Sequence, residues 1–205
     1  MSSDLGLTNR AFCAVLLGAE EVLGKHGLAA VLRQANLAAY INNYPPSDLE
    51  RGGHRAEFVT QIAQAIQSIY GVRGYRAILH RVGAIQAKHG IAQNPLVANA
   101  ARIAITLLPA HLKVKIALEA AVKELNAQMN RQARIVEEGA AIIYEEPTCI
   151  YCLGVHGDKP ICYSVAGFIH GLVVWALGSD AFTVEEIACR ATGAAMCRFK
   201  IVLNE

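Results

Sequence analysis

The sequence predicts an α+β fold in which helices pack on a small antiparallel sheet of about four strands. One observation behind this prediction is that apolar residues recur at helical spacing through residues 8–129. A second is that short segments of strand character surround a long apolar helix in the last third of the chain, giving a β-hairpin–helix–β-hairpin order. We treat residues 1–205 as a single domain, with a mostly helical part at 1–130 and the hairpin-containing part at 131–205.

The helical part is expected to begin at Thr8, because threonine is a favoured N-cap residue. Glycine and proline then divide the sequence into segments, since both residues interrupt helical backbone geometry. Gly24, Gly71 and the Pro45-Pro46 pair are such interruptions. The expected helices lie at about 8–23, 28–41, 54–70, 75–89, 95–107 and 109–129.

The C-terminal part is expected to contain two hairpins separated by one apolar helix. Gly193 supplies the positive φ that a three-residue hairpin turn needs in the second hairpin. Cys189 and Cys197 lie symmetrically before and after this glycine, and they would face each other across the ladder if the pairing were regular. The expected elements are strands at 134–136 and 140–144, a helix at 160–177, and strands at 182–191 and 195–203.

Composition and charge exclude several classes of protein. The net charge of +2 is too balanced to indicate a nucleic-acid partner. The first residues lack a charged region followed by an apolar run, so we expect no secretory signal and a cytoplasmic protein. The segment 160–179 contains no Asp, Glu, Lys or Arg. We interpret it as a buried core helix and expect no membrane span, because it contains His170 and three glycines and leads directly into the second hairpin.

Cysteine is concentrated at the end of the chain, where five of the six cysteines lie between residues 149 and 197. In a reducing compartment such residues are free, metal-bound or redox-active thiols. The second hairpin brings Cys189 near Cys197, and the start of the apolar helix can present Cys162 to them. Three thiolates and one carboxylate suit tetrahedral zinc. The alternative is three buried reduced thiols that pack as small hydrophobic side chains.

The same residues carry a family motif, C-x-x-x-x-G-F/L-x-x-G-L, then E-x-x-C, then C-x-F. In this chain it is formed by Cys162, Gly167, Phe168, Gly171, Leu172, Glu186, Cys189, Cys197 and Phe199. The motif resembles that of the 4-vinyl reductase domain family. The resemblance implies a fold related to the TRAPP vesicle-tethering subunits, which enclose a hydrophobic ligand between helices and a sheet. Some members are sensor domains of aromatic-responsive bacterial regulators with a zinc near the pocket, and others are linked to bacteriochlorophyll biosynthesis.

The resemblance implies a zinc site formed by Cys162, Glu186, Cys189 and Cys197. Strand geometry alone favours a different carboxylate, because side chains alternate between the two faces of a strand. Glu185 would share a face with Cys189, whereas Glu186 would not. The choice of Glu186 therefore requires a bulge or irregularity before Cys189.

The C-x2-C pair and one histidine allow more than one interpretation. Cys149 and Cys152 form a C-x2-C pair that suits a second metal, an iron–sulfur cluster or a redox couple, or that is idle. A complete cluster would need thiols from the family motif. His170 is interpreted as a core or ligand-pocket histidine, because it lies about 80° around the helix axis from Cys162.

We find no nucleophile elbow, phosphate-binding loop or dinucleotide motif in the sequence. The leading hypothesis is a non-catalytic module that binds or senses a small hydrophobic or aromatic molecule and contains structural zinc. The alternatives are an enzyme or accessory carrier in tetrapyrrole or bacteriochlorophyll biosynthesis, and an iron–sulfur or thiol redox protein. We expect a homodimer, a signalling or enzyme partner protein, and a mostly apolar enclosed cavity of a few hundred Å³ near the apolar helix.

Overall fold

The computed structural model describes residues 6–93, 95–129 and 131–204. Within them, five helices are present: α1 (Asn9–Gln34), α2 (Ala56–Ala92), α3 (Pro95–Ile105), α4 (Ala110–Met129) and α5 (Tyr163–Leu177). The strands are β1 (Gly6–Leu7), β2 (His54–Arg55), β3 (Arg134–Glu138), β4 (Ala141–Glu146), β5 (Phe182–Ala188) and β6 (Cys197–Leu203). The predicted α+β class and the β-hairpin–helix–β-hairpin order are confirmed.

The main sheet is antiparallel and has the strand order β3-β4-β6-β5, so the predicted four-stranded sheet is confirmed. The second hairpin joins the first through β4 and β6, where Tyr144 pairs with Phe199. These two rings meet edge to face, with centroids 5.9 Å apart, and both side chains are buried. A separate two-stranded ribbon joins β1 to β2 beside the start of α1.

The helical part has fewer and longer helices than the sequence predicts. The predicted helices on either side of Gly24 form one kinked α1, in which this glycine has φ 70°. Gly71, with φ 68°, has the same role within α2. Glycine accepts this backbone conformation at little cost, so helical pairing resumes directly after one residue.

The predicted start of α1 is confirmed, and its predicted end is wrong. Thr8 caps the helix as predicted, because its hydroxyl oxygen accepts a hydrogen bond from the Ala11 amide at 3.2 Å. The C-terminal end lies at Gln34 rather than near residue 41. Asn36 takes a left-handed conformation with φ 58°, which stops the α-helix and leaves only a short 3-10 turn at Ala38–Tyr40.

Helix α5 packs directly on α2, and two glycines of the family motif allow the two helices to approach closely. A Cβ atom placed on Gly167 would lie 1.9 Å from the carbonyl oxygen of His80. A Cβ atom placed on Gly171 would lie 2.9 Å from the Cβ atom of Ala87. The motif glycines are therefore contact positions between two helices. None of the helices described is long and apolar enough to cross a membrane.

The second hairpin differs from the regular one expected. Strand β5 ends at Ala188, which pairs with Arg198, and a short 3-10 turn precedes Gly193. Cys189 therefore lies beyond the last ladder pair, and Cys197 pairs with Glu146 of β4. The expectation that the two cysteines form a regular cross-strand pair is wrong, because the connecting loop is longer than three residues.

Candidate metal centre and adjoining cavity

Five cysteines meet in the interior at the junction of the two hairpins and α5. Two of them belong to the turn after β4, one is the N-cap residue of α5, one follows β5, and one begins β6. All five are buried and none forms a disulfide; they are Cys149, Cys152, Cys162, Cys189 and Cys197. The structure thus unites the C-x2-C pair with the motif cysteines in one cluster.

The sulfur atoms lie at the spacing of ligands around a single ion. The Sγ atom of Cys162 is 3.2 Å from that of Cys152, 3.7 Å from that of Cys197 and 3.9 Å from that of Cys189. The Sγ atom of Cys149 lies 3.4 Å from that of Cys162. Tetrahedral zinc with Zn–S bonds of about 2.3 Å separates its sulfur ligands by about 3.8 Å. The cluster could therefore hold a metal ion without a large rearrangement.

Glu186, rather than Glu185, is the carboxylate beside the cluster. The ladder between β5 and β6 has a register irregularity between Glu186 and Ala188, which is the feature that this arrangement requires. The Oε2 atom of Glu186 accepts a hydrogen bond from the Cys162 amide at 2.9 Å. Burial, followed by the nearby Cys189, raises the pKa of Glu186 to about 9. Glu185 is exposed.

Two overlapping sets of four donor atoms are close enough to surround one ion. One set is Cys149, Cys152, Cys162 and Cys197, and the other is Cys162, Glu186, Cys189 and Cys197. Hydrogen bonding, led by Cys152, lowers the pKa of Cys149 and of Cys189. Hydrogen bonding, led by Cys149, raises the pKa of Cys152, Cys162 and Cys197, so two of the five thiols ionise more readily than the other three.

A buried ion pair lies next to the cluster and was not foreseen from the sequence. The guanidinium of Arg131 donates to the Glu146 carboxylate, and these side chains are only 6% and 0% exposed. Glu146 also accepts from the Tyr144 hydroxyl at 3.0 Å and from the Thr148 hydroxyl at 2.9 Å. Consecutive glutamates at the end of a strand suggest solvent exposure, so the sequence contained no clear signal for this pair.

A cavity of about 380 Å³ lies on the other side of the same turn. Its walls come from α1, α2, α3, α4 and α5, together with the segment that contains Ile150 and Tyr151. Helix α5 contributes Val165, Phe168, Leu172, Trp175 and Ser164. The predicted cavity near the apolar helix is thus present, although it is partly open rather than enclosed.

His170 lies outside the lining of this cavity. Its ring is 5.0 Å from that of Phe182 and 5.3 Å from that of His80, measured between centroids. Its Nε2 atom is 3.6 Å from a carboxylate oxygen of Asp180. The histidine thus occupies the outer side of α5, between this helix, α2 and β5.

Residues 142–203 match the sequence profile of the 4-vinyl reductase domain. The match over these residues supports the 4-vinyl reductase domain family assignment that the motif indicated. No curated protein matches the chain. The match includes Cys149, Cys152 and all the motif residues, so the whole cluster lies within the domain.

Several solved structures share the fold at low sequence identity. An H-NOX protein from S. oneidensis in its Fe(II)NO state has 12% identity and a TM-score of 0.58, and the match covers 94% of this chain and 99% of that one. An unliganded H-NOX protein from K. algicida has 14% identity and a TM-score of 0.58, with 97% of each chain covered. The phenol-responsive sensory domain of the transcription activator PoxR, solved with phenol, has 12% identity, a TM-score of 0.52 and coverage of 73% and 74%.

The described lining of the cavity offers few axial ligands to a haem iron, although a further structure of this fold concerns the redox potential of haem. Axial haem ligands are chiefly histidine, cysteine, methionine and tyrosine. Among the described residues that line the cavity, none is histidine or cysteine. Burial raises the pKa of both Tyr144 and Tyr151, and their hydroxyls already donate to Glu146 and Ser164. The two tyrosines therefore do not fit haem ligation, and Met129 is the remaining described lining residue of an axial-ligand type.

Proposed function

We propose that this chain is a non-catalytic module that binds or senses a small hydrophobic or aromatic molecule in the cavity beside α5. The observation that carries the proposal is a partly enclosed space of about 380 Å³ with largely aliphatic and aromatic walls. Binding sites for small molecules fall in this size range and have this character. The cavity is also walled by helices α3 and α4, which present several alanines to it and so leave room for a ligand.

The PoxR sensory domain supports the aromatic class of ligand by analogy of fold, because its structure contains phenol. The test is thermal unfolding of the purified chain with a panel of phenol, naphthalene derivatives, medium-chain fatty acids and porphyrins. We expect at least one apolar class to raise the melting temperature in a saturable manner, since a ligand that binds only the folded state stabilises it. If no member of the panel shifts the transition or binds by calorimetry, the binding role is wrong.

We also propose that one zinc ion is held by Cys162, Glu186, Cys189 and Cys197. The unpaired Oε1 atom of Glu186 supports this set, because a buried carboxylate oxygen without a partner is costly unless something binds it. When bound, zinc would join the start of α5 to the second hairpin and so stabilise the fold. Elemental analysis should find about one zinc per chain.

The competing fourth ligand is Cys152, whose Sγ atom lies 3.5 Å from that of Cys197 and 3.7 Å from that of Cys189. Two variants, Glu186→Gln and Cys152→Ser, separate the alternatives. We expect Glu186→Gln to weaken zinc binding and Cys152→Ser to leave one zinc in place. The opposite result would replace Glu186 by Cys152 in the ligand set. Cys13→Ser is the matched control, because Cys13 is buried but lies outside the cluster.

Cys149 and Cys152 also support a rival in which the cluster is an iron–sulfur or thiol redox site. Four thiols, Cys149, Cys152, Cys162 and Cys197, are of the ligand type that such clusters use, although their mutual spacing suits a single ion such as iron better than a multi-iron cluster. The colour of the protein purified without oxygen distinguishes the hypotheses. The zinc form is colourless, an iron–sulfur form is brown, and an accessory carrier of a tetrapyrrole precursor would be pigmented.

A homodimer remains part of the proposal. Helices α3 and α4 and their connection expose large apolar side chains, with Leu107 95% and Ile103 75% exposed. Leu112 and Ile116 continue this surface. We expect a dimeric mass by light scattering that Leu107→Glu shifts toward the monomer. A monomeric mass for the unmodified chain at tens of micromolar would remove the hypothesis, and a partner protein would then be the occupant to seek.

A further inference from the structure

The interior contains a small number of buried polar atoms that lack a hydrogen-bond partner. In the described part of the chain these are Arg10 Nε, Gln86 Nε2, Arg131 Nε and Glu186 Oε1. The carboxylate oxygen lies at the cysteine cluster. All three nitrogens belong to residues that line the 380 Å³ cavity. Each of these nitrogens can only donate a hydrogen bond. Each therefore lacks an acceptor group as its partner.

Arg131 is held in position by its buried partner. Glu146 accepts from one terminal nitrogen of the guanidinium and is itself fixed by Tyr144 and Thr148. This arrangement neutralises the buried charge and prevents the side chain from turning away. It leaves Nε without a hydrogen-bond partner, in a residue that lines the cavity. A guanidinium immobilised in this way loses little conformational entropy when it binds a ligand.

Gln86 and Arg131 belong to the same end of the cavity, next to Tyr151. Burial raises the pKa of Tyr151, whereas the nearby Ser164, Gln86 and Arg131 oppose that rise. The Tyr151 hydroxyl donates to Ser164 Oγ at 2.7 Å. Most of the remaining wall consists of aliphatic and aromatic side chains. Gln86, Arg131, Tyr151 and Ser164 thus form a polar group within a mostly apolar lining.

We infer that the natural ligand is an amphiphilic acid, with an aromatic or aliphatic body in the apolar part and a carboxylate that accepts hydrogen bonds from Arg131 Nε and Gln86 Nε2. The inference rests on the proposed binding function and specifies the chemical class of ligand. A carboxylate is favoured over a neutral acceptor because hydrogen bonds from guanidinium to an ionised oxygen are the stronger kind.

The test compares ligands of the same shape that differ in one group. Naphthalene-2-carboxylate is paired with 2-naphthalenemethanol, and octanoate with octanol, and each dissociation constant is measured by calorimetry near neutral pH. We expect each acid to bind about tenfold to a hundredfold more tightly than its alcohol, from the usual strength of hydrogen bonds to charged groups. Equal binding of acid and alcohol would overturn the inference and leave the binding function intact. If neither the acids nor the alcohols bind, both the inference and the proposed binding function are wrong.

Two variants locate the carboxylate. Gln86→Leu removes one donor and keeps a side chain of similar size, and Arg131→Lys removes Nε while keeping a cation for Glu146. Both should reduce the preference for the acid to a few-fold or less while the alcohol binds as before. Arg10 also lines the cavity with an unpaired Nε, so Arg10→Met tests the competing position and should retain the preference. If only Arg10→Met abolishes it, the assignment to Arg131 and Gln86 is wrong.

Discussion

The cysteine cluster and the cavity lie on opposite sides of one segment, residues 149–164, yet their chemistry is opposite. Neighbouring residues of this segment supply the two sites: Cys149 and Cys152 belong to the cluster, whereas Ile150 and Tyr151 line the cavity. The cluster presents electron-pair donors, five sulfur atoms and a carboxylate, at separations that suit a single ion. The cavity is an open volume with a mostly apolar lining, and three of its lining residues contain a buried N–H group without a partner.

Under the proposed function, this difference separates a structural metal site from a site that exchanges its ligand. A cation in the cluster would be enclosed by atoms that already touch, so its main effect is on stability. A ligand in the cavity would enter a space that exists without it. Its binding should therefore affect the stability of the fold less than the metal does, and should act mainly on the surrounding helices. The following predictions test that division, from the largest expected effect to the smallest.

Removing a central thiol should have the largest effect. The Cys162 sulfur lies within 3.9 Å of the sulfur atoms of Cys149, Cys152, Cys189 and Cys197. We expect Cys162→Ser to abolish metal binding and to lower the free energy of unfolding by several kcal/mol, because structural zinc contributes energy on that scale. Metal content and urea unfolding are measured in parallel with Cys13→Ser.

Cys13 is a buried thiol on α1, so the control separates loss of metal from loss of a packed side chain. It should keep its metal and lose at most about 1–3 kcal/mol, the usual effect of a modest core substitution. Equal destabilisation by the two variants would contradict a structural metal.

Breaking the ion pair between the two sites should have the next largest effect. Glu146→Gln leaves the Arg131 charge buried without its partner, which should destabilise the fold by about 3–5 kcal/mol. Its neighbour Glu145 pairs with Arg134 and Arg198, which are considerably more exposed. Glu145→Gln should therefore cost about 1 kcal/mol or less.

Both glutamate variants are assayed by urea unfolding and by metal content. We expect each to retain its metal, because neither residue belongs to a donor set of the cluster. If Glu146→Gln loses its metal and Glu145→Gln keeps it, the ion pair supports metal binding at the cluster rather than the cavity wall.

Filling the cavity should affect binding more than stability. Ala117 on α4 lines the cavity and is buried, so Ala117→Phe places a ring in that space. We expect at least about tenfold weaker binding of any cavity ligand, with a stability change within the roughly 1–3 kcal/mol seen for overpacked cores. Ala110→Phe is the control, because Ala110 is an exposed residue of the same helix outside the lining. Unchanged affinity in Ala117→Phe would place the ligand elsewhere.

The smallest effect concerns a buried polar group that belongs neither to the cluster nor to the cavity lining. His54 accepts from the Tyr40 hydroxyl and donates to Asn9 Oδ1, at 2.9 Å in each case. Burial lowers the pKa of His54 below its ordinary value of 6.5. The folded state therefore binds its proton less well than the unfolded state, and stability contributed by neutral His54 is present above about pH 6.5 and is lost as pH falls below it.

We expect the stability difference between the unmodified chain and His54→Gln to shrink between about pH 7.5 and pH 5.5. Taking the difference between the two proteins removes the acid dependence of the metal site, which both share. A difference that stays constant over this range would show that His54 is not the titrating group.

Much of the fold could be predicted from the sequence because local patterns determine it. The Thr8 cap, the apolar helix and the two hairpins each depend on residues close together in the chain, and all are present in the structure. The irregularity near Glu186 was also implied, since the motif carboxylate and Cys189 could not otherwise face the same side of a strand. The interpretation of Gly24 and Gly71 as helix ends was wrong because a single glycine can kink a helix without ending it.

The sequence by itself determined the element types, the family motif and the cysteines able to bind a metal. Only the tertiary structure decided that Cys149 and Cys152 join the motif cysteines, and that the Arg131–Glu146 pair stands between cluster and cavity. It also decided that motif positions Gly167 and Gly171 are helix contacts. The physical reason is that backbone propensity acts over a few residues, whereas the meeting of side chains from distant segments depends on how α2, α5 and the two hairpins pack together.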